Sequence, residues 1–276
     1  MPRQALTITL RKALIEDLDR LIDGDRIRNR SHAIEYILAS HLRPTTTKAV
    51  ILAGGHGVKM RPFTYEMPKP MLPVKGRPIL EHIVELLRTN EIRELLIVTG
   101  PLGDKIRDHF GDGSKFGVRI SYIEESQAGG TAAPLLKVRD FVGHTPFVMI
   151  YGDVLIDIKI KDLIAYHSEN RALATLALTS ISEPWAYGAV RLHGNQIVEF
   201  VEKPPKSSGA SRLIFAGVSV IDPKLIDVVP KRPGSMLERD VYPKLAKERK
   251  LAGYLFEGRW FDVGTPEIYE RVIKEW

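Results

Sequence analysis

The sequence contains no cysteine, and none of its 276 residues belong to an apolar run long enough to cross a bilayer. The missing cysteines exclude disulfides and metal sites built on thiolates. Residues 1–12 alternate polar with apolar side chains, so they lack the hydrophobic core of a signal peptide. Together these absences predict a cytoplasmic protein.

Basic residues outnumber acidic ones in this sequence. Lysine and arginine number 40 against 34 acidic residues, which gives a formal net charge of +6 at pH 7. A positive net charge favours anionic partners, and both phosphorylated small molecules and nucleic acids meet that description. The length allows one or two domains with a well-buried core.

The first 43 residues have the pattern of one strand and two helices. Residues 4–10 alternate strictly between apolar and polar, as a half-buried strand does. Leucines at helical spacing follow until Gly24, and a second helix is predicted from an N-capping Ser31 to Pro44. So small a unit can hardly bury a core alone, and its strand has no partner in its own chain. The pattern therefore predicts a homodimer or higher homo-oligomer through residues 1–43.

This segment resembles a ribbon-helix-helix domain in its order of elements and in the phrases Leu-Thr-Ile-Thr-Leu at 6–10 and Arg-Ser-x-Ala-Ile at 30–34. The resemblance implies that paired strands enter the major groove of double-stranded DNA while the start of the second helix meets a phosphate. The DNA-binding candidates on this basis are Ala5, Thr7, Thr9, Arg30 and Ser31. Ala5 is shorter than the side chain common there, and residues 1–43 carry only eight basic against six acidic residues. DNA binding and dimerisation alone both stay open.

Residues 44–48 have the composition of a polar linker, and 49–276 that of one α/β domain. Apolar runs at 95–98, 118–123 and 147–150 alternate with helical patterns at 103–110, 130–139 and 160–167. Strands interleaved with helices predict a Rossmann-like, mainly parallel sheet with a ligand at the carboxyl ends of its strands. Later strand patterns at 173–179, 188–192, 197–201 and 214–220 are expected to lie over the same cleft.

The most informative stretch is 49–57, an apolar run that ends in Gly54, Gly55 and Gly57. Glycine lets backbone amides approach a phosphate, because it has no Cβ to keep the anion away. The stretch lacks the Gly-Lys-Ser/Thr of a Walker loop and the third glycine of a dinucleotide fingerprint. It predicts a nucleotide site of another kind.

These glycines, with Pro62, Thr64, Pro-Lys-Pro at 68–70 and Leu-Pro-Val at 72–74, resemble the signature of the sugar-1-phosphate nucleotidyltransferases, or nucleotide-sugar pyrophosphorylases. Four further segments follow in the family's order: Gly-Gly-Thr-Ala-Ala at 129–133, Gly-Asp at 152–153, Glu-Lys-Pro at 202–204 and Phe-Asp-Val-Gly-Thr at 261–265. The resemblance covers nearly all of 49–276. It implies transfer of a nucleotidyl group from an NTP to a sugar 1-phosphate, giving a nucleotide-sugar and pyrophosphate.

The resemblance also implies roles for individual residues. The catalytic candidates at the reacting phosphates are Lys69, Lys59 and Arg61. The nucleotide-binding candidates are Leu52, Ala53, Gly54, Gly55, Gly57, Gly130 and Thr131. The sugar-phosphate candidates are Gly152, Glu202, Lys203 and Gly217. Tyr187 is similar to a tyrosine over the sugar pocket, and Ser235 to the cap of a following helix.

Asp153 and Asp262 match the two carboxylates that hold a metal in the family. Magnesium prefers oxygen ligands and a shell that substrate phosphates and water complete. The resemblance therefore implies Mg²⁺ as cofactor, and it requires these two carboxyl groups to meet in one cleft.

Three of the departures from the family pattern bear on activity. Val58 and Lys59 stand where the family usually has Thr-Arg, and Phe215 replaces an asparagine. Lysine keeps the charge of arginine without its forked geometry, so weaker clamping of pyrophosphate is expected. These changes also favour an alternative, a DNA-binding transcription regulator that senses a nucleotide-sugar through a catalytically degenerate domain.

The base and the sugar stay open. The Gly-Thr-Ala and Glu-Lys-Pro segments lean towards relatives that act as mannose 1-phosphate guanylyltransferases. Glucose 1-phosphate uridylyl- or thymidylyltransferase activity remains open beside it.

Overall fold

The computed structural model of the protein describes residues 7–24, 27–42, 46–125 and 130–276, without the side chains of 39–42. The chain divides into two compact units, Met1–Thr45 and Thr46–Trp276. Two residues of the predicted sites, Ala5 and Gly129, lie outside the described residues.

The first unit contains helices α1, Lys12–Arg20, and α2, Arg30–Leu42. Its buried core consists of Leu18, Ile27 and Ala33. The prediction that Ser31 caps α2 is wrong, because the helix already begins at Arg30 and the side-chain oxygen of Asn29 accepts a 2.9 Å hydrogen bond from the N–H of His32. Asparagine and serine cap helices equally well, so the pattern alone did not choose between them.

Residues 7–10, the described part of the predicted first strand, have no strand pairing within this one chain. A ribbon between two chains would supply the backbone hydrogen bonds that such a strand needs. The strand therefore stays a prediction about an assembled dimer.

The second unit is an α/β domain. Its strands are β1 Lys48–Ala53, β2 Pro73–Val74, β3 Arg77–Pro78, β4 Glu94–Thr99, β5 Arg119–Glu124, β6 Phe147–Tyr151, β7 Val154–Ile156, β8 Ala174–Ser180, β9 Gly188–His193, β10 Gln196–Glu202, β11 Leu213–Ile221, β12 Leu251–Leu255 and β13 Trp260–Asp262. Its α-helices are α3 Ile79–Thr89, α4 Gly103–Phe110, α5 Arg139–Val142, α6 Ile160–Asn170, α7 Tyr242–Lys247 and α8 Pro266–Glu275.

Nine of the described strands form one sheet in the order β5-β4-β1-β6-β11-β8-β12-β10-β9. Strands β5, β4, β1 and β6 are parallel, whereas β11 is antiparallel to β6 and β8, and β10 is antiparallel to β9 and β12. The sheet is thus mixed, and the prediction of a mainly parallel sheet is wrong. The short turn at 194–195 makes β9 and β10 a hairpin, which is antiparallel by construction.

The helix predicted at 130–139 is also different in the structure. A 3₁₀ helix at Ala133–Lys137 and the single turn of α5 take its place. Gly130 has φ +74°, outside the range of a right-handed helix, so a helix cannot run through this residue.

Hydrophobic clusters cover both faces of the sheet. On β1, Ile51 packs into one cluster with Ile83 of α3 and Val272 of α8, while Val50 packs into the other with Leu245 of α7. A strand buried on both faces needs a continuous apolar sequence, which explains the Ala-Val-Ile-Leu-Ala run. None of the helices in the described ranges is long and apolar enough to cross a membrane.

Candidate active site

The candidate site lies at the carboxyl ends of β1 and β6. These neighbouring strands are parallel, with Leu52 opposite Tyr151, and the N–H of Gly152 donates a 2.9 Å hydrogen bond to the carbonyl of Leu52. The glycine loop that follows Ala53 and the Gly152-Asp153 turn therefore start side by side. Open α/β sheets bind ligands at this edge.

The loop after β1 is closed by a side chain from farther along the chain. Thr64 donates a hydrogen bond of 2.7 Å from its hydroxyl to the carbonyl of Gly57. Gly57 has φ +62°, and a Cβ there would come within 3.0 Å of the Thr64 side chain. Met60 anchors the same loop in the core. Only glycine fits this closed turn, which keeps the backbone at 54–57 in place.

The two predicted metal ligands meet through a two-stranded ribbon. Strand β13 pairs antiparallel with β7, so that Asp262 lies opposite Val154. The N–H of Val263 donates a 3.0 Å hydrogen bond to the carbonyl of Asp153. This ribbon brings Asp153 and Asp262 together from distant parts of the sequence.

Burial raises the pKa of Asp262 well above its usual range, and the neighbouring Asp153 raises it further. The Lys69 amino group forms an ion pair with Asp153. Burial alone would lower the pKa of Lys69, but Asp153 and Asp262 outweigh burial and raise it. Lys69 thus stays charged between two carboxylates, while Lys59 and Lys203 also act to lower the pKa of Asp262.

Among the residues that the structure describes, no group of three or more His, Cys, Asp or Glu side chains could hold a metal ion. Asp153 and Asp262 nevertheless fit a hard divalent cation, because two close carboxylates supply oxygen ligands and repel each other without a cation. Two protein ligands leave most of the coordination shell of the cation to substrate phosphates and water.

The Glu-Lys-Pro turn also lies near these carboxylates, since Lys203 acts on the pKa of Asp262. Lys203 has φ +48°, uncommon for a residue with a Cβ, and its N–H donates a 2.9 Å hydrogen bond to the carbonyl of Tyr187. Its amino group lies 3.4 Å from the carboxylate of Glu202. Burial and the nearby Glu238 raise the pKa of Glu202. Burial and Asp262 raise the pKa of Tyr187 to about 12, so this phenol stays protonated near the carboxylates.

Gly217 lies in an irregular stretch of β11, where the register shifts between Phe215 and Ser219. It packs next to Val154, and the indole N–H of Trp260 donates a 2.9 Å hydrogen bond to the carbonyl of Ala216. Phe215 is buried in the core, where its ring meets that of Tyr151 edge to face. This phenylalanine therefore contributes packing where the family has an amide.

Two predicted cations lie at the surface. Lys59 is exposed, and the exposed Arg61 places its guanidinium 5.2 Å from the ring centre of Tyr65. The guanidinium of Arg61 thus faces the ring of Tyr65 at the surface.

Thr131 contacts Glu238, a residue that the sequence pattern did not predict to belong to the site. Its hydroxyl donates a 2.5 Å hydrogen bond to Glu238, a buried carboxylate on the single π-helical turn Leu237–Val241. The prediction that Ser235 caps a helix is wrong, since the turn begins after Met236, whose N–H donates to the carboxylate of Asp240. An acidic residue at such a start is usually exposed, so no sequence signal marks Glu238 as buried.

In the first unit, the structure describes four of the five predicted DNA-binding residues. Thr7 and Thr9 are exposed. Arg30 forms two hydrogen bonds of 2.7 Å each with the carboxylate of Asp19, so its guanidinium already has a partner. Ser31 is the second residue of α2, near the free amides of the helix start.

The mixed α/β sheet, the glycine loop and the paired carboxylates are features of a nucleotidyltransferase domain. A sequence model of the family described as Nucleotidyl transferase matches residues 48–275, and the chain belongs to this family. The match confirms the family resemblance of 49–276.

Individual relatives make the comparison more specific. The chain is 32% identical over 227 residues to mannose-1-phosphate guanyltransferase beta-A of Xenopus laevis, covering 80% of this chain and 62% of that protein. It is 32% identical over 243 residues to UTP–glucose-1-phosphate uridylyltransferase of Synechocystis sp., with 82% and 62% covered. The chain thus spans less than two thirds of the length of these curated relatives.

A solved structure agrees with the fold. A protein from Bacillus anthracis described as a glucose-1-phosphate thymidylyltransferase, crystallised with sucrose, superimposes with a TM-score of 0.73 at 29% identity. The match covers 82% of this chain and 94% of that one. It confirms the α/β nucleotidyltransferase fold.

Proposed function

We propose that the protein transfers a nucleotidyl group from an NTP to a sugar 1-phosphate and releases pyrophosphate. The observation that carries this proposal is the meeting of Asp153, Asp262 and Lys69 at the carboxyl edge of the sheet, beside the glycine loop. Relatives named as mannose-1-phosphate guanyltransferase and glucose-1-phosphate uridylyltransferase support the same chemistry.

In this reaction an oxygen of the sugar phosphate attacks the α-phosphorus of the NTP. The bond from that phosphorus to the oxygen that bridges to the β-phosphorus breaks, and pyrophosphate leaves with the electron pair. The attacking oxygen is already anionic, so the site needs charge neutralisation and alignment rather than a base.

The residues of the chain can supply both needs. The backbone at Gly54, Gly55 and Gly57 would bind the triphosphate, and Lys69 would neutralise charge at the phosphorus in transfer. Lys59 and Arg61 would meet the leaving pyrophosphate.

The remaining candidates would hold the two organic parts of the reactants. Gly130 and Thr131, with Leu52 and Ala53, would bind the nucleoside. Gly152, Glu202, Lys203 and Gly217 would bind the sugar and its phosphate.

We assign Asp153 and Asp262 as the ligands of Mg²⁺. When bound, this ion supplies positive charge to the phosphate oxygens of the NTP. The meeting of the two carboxylates across the ribbon of β7 and β13 supports the assignment, because neighbouring carboxylate oxygens are the ligands that this ion prefers.

An assay panel tests the proposed function. The full chain with magnesium is given each of GTP, UTP, dTTP and ATP with mannose 1-phosphate or glucose 1-phosphate, and pyrophosphate release is measured. We expect turnover with at least one pair, with GTP and mannose 1-phosphate as the first candidate. If no pair releases pyrophosphate, the proposed activity is wrong. Binding of nucleotide-sugars without turnover would favour the alternative, a transcription regulator that senses a nucleotide-sugar.

We propose further that residues 1–43 form a homodimer. The described part of this unit buries only Leu18, Ile27 and Ala33, whereas Leu14 and Leu38 are more than two fifths exposed. A second copy could cover these apolar side chains and pair the strand predicted at 4–10.

DNA binding is the second function proposed for this unit. The exposed Thr7 and Thr9 favour it, while the pairing of Arg30 with Asp19 leaves phosphate contact to the amides at the start of α2. Fluorescence anisotropy with the DNA upstream of its own gene is the test. Affinity that falls steeply between low and moderate salt supports DNA binding, and no measurable affinity at low salt leaves dimerisation alone.

A further inference from the structure

Glu238 is a buried carboxylate to which the proposed reaction gives no task. Its side chain is held on a single π-helical turn, and only 6% of the residue is exposed. Burying a carboxylate is costly unless hydrogen bonds compensate for the lost water. Irregular turns of this kind occur often at functional sites. The contacts of Glu238 therefore deserve a functional explanation.

Both carboxylate oxygens have a hydroxyl donor. The Thr131 hydroxyl donates to one oxygen at 2.5 Å, and the Tyr151 hydroxyl donates to the other. The Thr131 hydroxyl in turn accepts a 2.9 Å hydrogen bond from the N–H of Leu237. Hydrogen bonds to an ionised acceptor are the stronger kind, so this arrangement fixes all three side chains.

The backbone around Thr131 rests on the same turn. The N–H of Ala132 donates a 3.1 Å hydrogen bond to the carbonyl of Ser235. Gly130 packs so closely against this carbonyl that a Cβ would overlap it, and its φ of +74° also favours glycine. Residues 130–132, which we call the nucleoside loop, are thus attached to 235–238 by consecutive contacts.

The second partner, Tyr151, belongs to the strand that presents a metal ligand. It is the last residue of β6, two positions before Asp153. Its ring is held edge to face against Phe215 at 5.7 Å, so its hydroxyl offers a fixed point. One carboxylate thereby links the nucleoside loop to the strand end that carries Asp153.

We propose that Glu238 is a positioning residue that holds the nucleoside loop against the end of β6 and so sets where the nucleoside lies relative to Asp153. The inference rests on the proposed function, because the loop matters only if it binds an NTP. Glu238 acts through Thr131 and Tyr151 and touches no substrate itself.

Steady-state kinetics with each substrate varied in turn test this role. Glu238→Gln keeps the shape of the side chain but removes its charge and one acceptor. Losing a hydrogen bond to a charged group typically costs a factor of roughly 10 or more in binding. We expect KM for the NTP to rise about 10-fold. KM for the sugar 1-phosphate should change less, although the charge of Glu238 also acts on Glu202.

Matched variants separate positioning from general packing. Tyr151→Phe keeps the ring but removes one of the two hydroxyl donors to Glu238, so it should raise KM for the NTP in the same direction as Glu238→Gln. The double variant Glu238→Gln/Tyr151→Phe should be little worse than Glu238→Gln alone, because both changes affect the same contact. Glu199→Gln is the control, since Glu199 forms an exposed ion pair with Arg191 on the same sheet.

Several results would overturn the inference while leaving the proposed function intact. An active wild type whose Glu238→Gln variant keeps its KM for the NTP, or raises both KM values equally, contradicts positioning of the nucleoside. A Tyr151→Phe variant with both KM values unchanged does the same. If Glu238→Gln does not fold, Tyr151→Phe decides the question. If the wild type is inactive on every substrate pair, the proposed function fails, and calorimetric titration with GTP then decides whether Glu238→Gln weakens nucleotide binding.

Discussion

Among single residues, Asp153 and Asp262 combine partial burial, mutual repulsion and nearby lysines. Replacing either carboxylate by its amide keeps the shape and removes the charge that would hold a cation. We expect Asp153→Asn and Asp262→Asn each to lower kcat/KM by at least about 100-fold, the range seen when a stabilising charge is removed from an active site. Pyrophosphate release at several magnesium concentrations measures the effect.

Asp157→Asn is the matched control for this pair. Asp157 directly follows β7, but its carboxylate forms an exposed ion pair with Arg259. Exposed pairs contribute little, so near wild-type activity is expected. If Asp262→Asn were as active as this control, the assignment of Asp262 to the site would be wrong.

His167 should make the stability of the fold depend on pH. The imidazole is buried on α6, 2.9 Å from the hydroxyl of Thr175, and burial lowers the pKa of His167 to about 4. In the unfolded state His167 takes up a proton near pH 6.5, whereas in the folded state it does so only near pH 4. The free energy of unfolding is therefore highest above pH 6.5 and decreases as pH falls from 6.5 to about 4. The loss should reach about 3 kcal/mol, measured by urea unfolding at several pH values.

Comparison with His167→Asn separates the contribution of His167 to the pH dependence of stability from the contribution of the acidic residues. Asparagine can keep a hydrogen bond to Thr175 but does not titrate. The difference between the two proteins should grow with pH from 4 to 6.5 and then stay constant. Parallel stability curves across this range would exclude the histidine as the cause.

At the scale of elements, the ribbon of β7 and β13 decides the geometry of the site. Phe261 of β13 packs in the core cluster next to the ribbon residues Val154 and Leu155. Truncating a buried phenylalanine leaves a cavity, so Phe261→Ala should lower the free energy of unfolding by about 3 kcal/mol. Because Asp262 follows Phe261 directly, activity should fall as well.

Denaturant unfolding and kcat/KM measured on the same preparations check this prediction. Ile273→Ala, an exposed apolar residue on α8, is the control and should change stability by less than about 0.5 kcal/mol. A Phe261→Ala protein with wild-type activity would show that the ribbon does not position Asp262.

At the scale of the whole molecule, the first unit should set the oligomeric state and the second the chemistry. Residues 46–276 contain their own two hydrophobic clusters, one on each side of the sheet. We expect the full chain to be a dimer or larger in light scattering, and a chain that begins at 46 to be a monomer with activity within about twofold of the full chain. A monomeric full chain would contradict dimerisation through residues 1–43.

Much of this protein followed from local sequence patterns. The helix predicted at 103–110 has the same bounds in the structure, and the apolar run at 147–150 forms β6 with one further residue. Periodicity and turn residues encode such elements, because they depend on neighbours along the chain. The glycines, Pro-Lys-Pro and Glu-Lys-Pro likewise indicated the nucleotidyltransferase family, which the comparison confirms.

Tertiary structure decided what depends on distant contacts. Whether β11 runs parallel or antiparallel to β6 has no local signal, since either pairing buries the same apolar faces. The resemblance required Asp262 and Asp153 to meet. In the structure the ribbon of β7 and β13 brings them together, and the local sequence pattern did not predict this ribbon. The sequence places Glu238 where an acidic residue at a helix start is usually exposed, but in the structure it is buried and accepts hydrogen bonds from Thr131 and Tyr151. Sequence determines which segments become strands and helices, whereas long-range packing and hydrogen bonding select their partners and the environment of each charge.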